Sequence, residues 1–130
     1  MGLTEVWAMG HRTPQGLTFA PDGRLWEIEH GPRGGDEATI LLGSRDRAVG
    51  PGLLSGGDLF PQWKSNVLVG GLAGQAIFRL ELGKDDKVVN EEPLLADLHD
   101  RIRDVRVFQD GAVYVLTDGA GGKLLKLTPK

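Results

Sequence analysis

One domain with a real core is within reach of 130 residues, and a net charge of -3 with both signs interspersed excludes the basic stripe of a nucleic-acid surface. With no cysteine there is neither a disulfide framework nor a thiolate metal site or nucleophile, and the redox compartment stays open. No run approaches the roughly 18 apolar residues of a membrane span, and a polar segment follows Met1, so the sequence reads as soluble, with no membrane partner and no signal peptide within it, a removed leader staying open.

Residues 5–9 are the first expected strand, short and carrying Trp7, and a polar loop around Pro14 follows at 11–15. Residues 17–20 and 25–29 read as strands paired about Pro21-Asp22-Gly23, because aspartate–glycine supplies the left-handed positions of a tight hairpin. A glycine- and proline-rich loop at 30–36 leads to a third strand at 37–42. Residues 43–63 show little alternation and read as irregular. Strands resume at 67–69, 76–82 and 88–94, the last two joined by a turn at 84–87. Residues 91–103 contain Pro93 and no 3.6-residue stripe, so a loop is expected after 94, with Leu95 and Leu98 tucked inward. Strands at 105–108, 113–117 and 124–128 complete the series.

Two of these stretches are copies of each other. GLTFAPDGRLWEIEHG, from Gly16 to Gly31, aligns without a gap with DVRVFQDGAVYVLTDG, from Asp104 to Gly119. Aspartate and glycine coincide at Asp22/Gly23 and Asp110/Gly111, an aromatic at Trp26 and Tyr114, and a closing glycine at Gly31 and Gly119. The copies stand about 88 residues apart, twice the roughly 40 to 50 of a propeller blade. A third copy without the aspartate–glycine pair, WKSNVLVGGLAG at 63–74, lies between them. Many short strands at even spacing argue for an all-β closed or radial form.

The expected fold is an all-β partial β-propeller of two to three antiparallel blades. It forms one domain over 1–130, with repeats near 16–42, 60–94 and 104–128 and an irregular stretch at 43–59. Each repeat then supplies three strands and 5–9 is left over, whereas a blade normally has four strands and a ring four to eight blades. Bare sheet edges favour self-association as a homo-oligomer. Two copies of three blades, or three of two, would close a six-bladed ring, with strand 5–9 strapping the last sheet or a neighbour's.

Four polar clusters fall where one strand passes to the next: GHRTPQG at 10–16, EHGPRGGDE at 29–37, GGLAGQ at 70–75 and DRIRDVR at 100–106. Arg101 and Arg103 flank Ile102, which in a strand puts both guanidinium groups on one face. Such a pair suits a carboxylate- or quinone-bearing ligand; equally, the two are surface arginines ion-paired with Asp100 and Asp104. The loop from His30 to Glu37 offers backbone carbonyls and the carboxylates of Asp36 and Glu37, oxygen ligands of the kind calcium takes, though not at EF-hand spacing. His11 and His30 read either as a metal pair or as hydrogen-bonding loop residues, and His99 as a surface residue.

In this order the motifs HRTPQG, EHGPRGGDE, GDLFPQWKSNVLVGGLAGQ and RIRDVR resemble the carboxyl-terminal half of the soluble glucose/sorbosone (aldose sugar) dehydrogenase family, over most of 6–129. The resemblance implies a six-bladed propeller holding pyrroloquinoline quinone (PQQ) and calcium on its open face. It implies that Arg12, Thr13 and Gln15 contact the quinone, with Thr13 where asparagine is usual. It further implies that Gly31 and Pro32 offer calcium their carbonyls, that Arg101 and Arg103 embrace the cofactor's carboxylates, and that Gln75 lies near the open face. Members are often periplasmic or secreted.

Two departures bear on activity. The family's general base, a histidine in an earlier blade, has no match here, and His11 and His30 do not replace it in the motif. Relatives also carry a longer segment between Glu37 and Ser55. Hydride abstraction from a sugar needs both a positioned base and a held electron sink. The expectation is therefore a self-associating quinoprotein-like module without dehydrogenase activity. The alternatives are a PQQ- and calcium-dependent aldose dehydrogenase active as an oligomer, with His30 as the candidate base, and an inert structural scaffold.

Overall fold

The computed structural model describes residues 14–19, 25–30, 36–41, 53–54, 59–84 and 87–129. Ten strands are formed there: β1 Pro14–Phe19, β2 Leu25–His30, β3 Asp36–Leu41, β4 Leu53–Leu54, β5 Asn66–Gly70, β6 Ile77–Leu82, β7 Val88–Leu94, β8 Arg101–Val107, β9 Val113–Asp118 and β10 Leu124–Leu127. Single turns of 3-10 helix at Pro61–Trp63 and Ala96–Leu98 are the only helical elements among the described residues, and none is long and apolar enough to cross a membrane. The strands make three antiparallel sheets, ordered β1-β2-β3, β4-β5-β6-β7 and β10-β9-β8. Among the described residues each strand pairs only with its sequence neighbours, the meander of a propeller blade.

Strand β5 explains why the sheets stack. Its run Asn66-Val67-Leu68-Val69 is buried without alternation, the pattern of a strand covered on both faces. Val67 and Val69 pack with Trp26 of β2, whereas Leu68 joins Ile77, Ile102, Val105, Val113 and Val115 in the core shared with the third sheet. In β9 the period of two is clean: Val113, Val115 and Thr117 are buried and Leu116 is exposed. Asn66, polar and buried, is satisfied by the Arg79 guanidinium and the Lys64 carbonyl, and Arg79 is held in turn by Glu92 at 2.7 Å.

The Asp110-Gly111 turn takes the form expected. Gly111 has φ +77, the Ala112 N–H donates to Asp110 Oδ1 at 3.0 Å, and Lys126 Nζ holds Asp110 Oδ2 at 3.0 Å. Its counterpart Asp22-Gly23 and the expected strand 5–9 lie outside the described residues.

Three expectations are corrected. The middle repeat has four strands, not three, because Leu53–Leu54 pairs with Leu68 and Val67. Two residues are too few to show a period, so only the pairing reveals them. The third sheet's first strand starts at Arg101 rather than at Val105, since a bulge between Ile102 and Asp104 carries the pairing back into a charged run. Leu95 does pack on the core, but Leu98 is 40% exposed. Left-handed backbone at Leu95 (φ 58) and His99 (φ 51) bounds the intervening 3-10 turn, which carries Leu98 outward.

The second and third sheets meet closely at Gly70. A Cβ there would stand 2.7 Å from Ile102 Cγ2, and Ile102 is only 1% exposed. We expect Gly70→Ala to destabilise the fold by about 1–3 kcal/mol, as overpacking does, read as a lower midpoint in urea denaturation.

Candidate functional site

The site is built at the start of β8. In the register of the third sheet Arg101 stands opposite Asp118, the last residue of β9, and Ile102 opposite Thr117. The bulge leaves Arg103 as the extra residue before Asp104 pairs with Leu116. Both arginines reach the same oxygen: Arg101 Nε lies 3.5 Å and Arg103 Nη2 3.0 Å from Asp118 Oδ2. Ile102 points the other way into the core, which anchors the backbone between them.

The partner is not the one expected from sequence. Asp100 is held by Lys123 at 2.7 Å, and Asp104 by Arg106 at 3.0 Å and by the Val105 N–H. Cross-strand pairing sets Asp118 directly opposite Arg101, on the face where both guanidinium groups lie. Asp118 is itself well placed. Thr117 Oγ1 accepts the Lys123 N–H at 2.8 Å and the Thr117 N–H donates to the Lys123 carbonyl at 2.9 Å, closing the turn in which Gly119 has φ +131.

Two cations on one carboxylate leave this point with a residual positive charge. The arginine side chains are 54% and 47% exposed, and that of Asp118 27%. A guanidinium carries five N–H donors in a planar fork. Among the described residues Asp118 is the only carboxylate that either arginine reaches, so donors remain for an oxygen-rich anion. The Arg103 hydrogen bond, with the charges of both arginines, holds the Asp118 carboxyl below its ordinary 3.8 against a smaller opposing effect of burial.

The loop at 70–75 is stitched to this strand. The Ile102 N–H donates to the Gly71 carbonyl at 3.1 Å, and the Gly71 N–H to Ala76 at 2.9 Å. Gln75, exposed and left-handed at φ 49, lies in this loop, so it and the arginine pair share one end of adjacent sheets. His99 is exposed, as expected, two residues before Arg101.

The remaining candidates are less fully described. Arg12, Thr13, Gly31, Pro32 and His11 lie outside the described residues. Gln15 belongs to β1, and His30, the last residue of β2, stands opposite Asp36 of β3, with Glu37 opposite Glu29. Among the described residues no group of three His, Cys, Asp or Glu could hold a metal ion. Asp118 is the residue that sequence reasoning missed. The repeat offered a signal: the residue before the closing glycine, His30 in one copy and Asp118 in the other, ends the second strand of its sheet.

Three meandering antiparallel sheets, with an arginine pair at one end, are the architecture of propeller blades. The Glucose / Sorbosone dehydrogenase family model matches residues 2–46 and 43–126, and the chain belongs to that family. It is 32% identical to the aldose sugar dehydrogenase YliI of Escherichia coli, over 97% of this chain and 44% of that protein. A solved glucose dehydrogenase superposes with a TM-score of 0.83 at 46% identity, over 97% of this chain and 43% of its own. A segment covering 31% of the chain is 40% identical to the quinoprotein glucose dehydrogenase B of Acinetobacter calcoaceticus, of which it covers 8%. The chain thus spans less than half the length of the first two relatives. The family match comes in two pieces that meet at 43–46, and the E. coli alignment runs over 165 positions against 130 residues.

A carboxyl whose folded pKa is lowered stabilises the fold above its unfolded value, and that contribution is lost as pH falls through the folded value. Asp118 is such a group, so wild type should lose stability on acidification below about pH 4 more steeply than Asp118→Asn. Thermal melting across that range checks it.

Proposed function

We propose that this chain is the cofactor-holding module of a quinoprotein sugar dehydrogenase propeller, with Arg101 and Arg103 binding the carboxylates of PQQ. The observation that carries this reading is the convergence of two half-exposed guanidinium groups on Asp118, with positive charge left over. A planar polycarboxylate fits such a donor set, because each fork can donate two parallel N–H bonds to a carboxylate. When bound, PQQ supplies an electron sink for the hydride of a sugar. The chain's own residues bind and orient it. By family resemblance Arg12, Thr13, Gln15 and Gln75 add contacts to the ring, and Gly31 and Pro32, with Asp36 and Glu37, are the candidates for calcium.

We further propose that the 130-residue chain on its own does not oxidise sugars, because it contains no match to the family's general base. The reading includes self-association. Among the described residues β10 pairs only with β9 and β3 only with β2, and Leu124, 67% exposed, stands opposite exposed Leu116 beside the β10 edge. Such an edge is a template for another strand, and a dimer or trimer completing a six-bladed ring would cover it.

Absorbance titration with PQQ, with and without calcium, should show saturable binding. Arg101→Gln or Arg103→Gln should weaken it about tenfold each, the worth of one charge-assisted hydrogen bond. No saturable binding at high micromolar PQQ would leave only an inert scaffold. Dye-linked oxidation of aldoses should be absent, and turnover abolished by His30→Ala would establish the enzyme instead. Light scattering should report a dimer or trimer, and a monodisperse monomer would refute the ring.

A further inference from the structure

The carboxylate between the two arginines is more than a surface counter-ion. Arginine side chains at about half exposure are free to swing, and two like charges on neighbouring strand positions repel. Yet both guanidinium groups, Arg101 through Nε and Arg103 through Nη2, meet one oxygen of Asp118. The strand beneath them is fixed by Ile102 in the core and by its N–H on Gly71, and the Asp118 end is fixed by the Thr117–Lys123 bonds. What the fold holds in common for the two side chains is therefore Asp118.

This has a consequence for selectivity. A small anion settling at the point of convergence must compete with a resident carboxylate and sit beside its charge. A ligand bearing several carboxylates can take the outward donors of each guanidinium separately, leaving Asp118 in place. Among the described residues the other charges beside β8 are matched, Lys123 by Asp100 and Arg106 by Asp104. Specificity is a difference of affinities, and a built-in repulsion against the wrong ligand is one way to obtain it.

We propose that Asp118 is the positioning and selectivity residue of the arginine pair, orienting both guanidinium groups and rejecting simple anions in favour of a polycarboxylate. This rests on the reading of the pair as a carboxylate site. The test compares PQQ and inorganic sulfate, each titrated into wild type, Asp118→Asn and Asp118→Glu, with folding checked by circular dichroism. In Asp118→Asn the ratio of PQQ affinity to sulfate affinity should fall at least about fivefold, because the repulsive partner is gone. Asp118→Glu, which keeps the charge, should restore most of that ratio. A ratio unchanged in Asp118→Asn, or lost equally in Asp118→Glu, would overturn the proposal. If Asp118→Asn does not fold, Asp118→Ser carries the same expectation. Failure of wild type to bind PQQ would remove the cofactor reading, and the sulfate arm would still judge Asp118. A gain of sulfate binding in Asp118→Asn that Arg103→Gln cancels supports the role, and no gain ends it.

Discussion

Ile102 is buried between two half-exposed arginines, and its backbone N–H is donated to Gly71 of the neighbouring sheet. That one residue joins the core to the arginine pair. Burying an aliphatic side chain of this size contributes about 1.5–3 kcal/mol, several times what an exposed ion pair is worth. The apolar contact therefore decides where the strand lies, and the arginines take positions set by it. Gly70 belongs to the same arrangement, since the backbone of β5 approaches Ile102 more closely than any side chain would permit.

The ion pairs around β8 follow a different logic. Exposed pairs contribute about 0–1 kcal/mol in water, so the contacts of Asp118, Asp100 and Asp104 add little to the stability of the sheet. Their effect is on direction. Each of these three acidic residues takes a cation that the register or the turn brings to it, and among the described residues only Asp118 is shared by two cations. The remaining positive charge lies where the β5–β6 loop, with Gln75, and the start of β8 come together.

Among the described residues the three sheets are unequal. The middle sheet has four strands, and its β5 is covered on both faces by the flanking sheets. Its neighbours have three each among the described residues, and exposed leucines stand beside the edge strand β10. Strand β5 is apolar throughout because it is the centre of a stack, while β9 alternates because one of its faces meets water. The chain belongs to the glucose/sorbosone dehydrogenase family and spans less than half the length of the aldose and glucose dehydrogenases compared with it.

Much of this was legible in the chain. Nine of the ten strands coincide with alternating or apolar runs between turn residues, and the repeat centred on aspartate–glycine marks where two sheets begin. Those signals are local: side-chain period and turn chemistry act over a few residues, and the sequence by itself determines them. The motif RIRDVR likewise marks the arginine pair in the sequence itself. Strand β4, the outward course of Leu98 and the identity of the arginines' partner were decided by tertiary structure alone. Asp118 meets Arg101 and Arg103 through cross-strand register and a bulge, and Leu53–Leu54 is a strand only because β5 lies beside it. Such facts depend on which distant segments pair and by what offset, a choice made by burying Ile102, Val105 and Leu68 together rather than by any neighbouring residue in the chain.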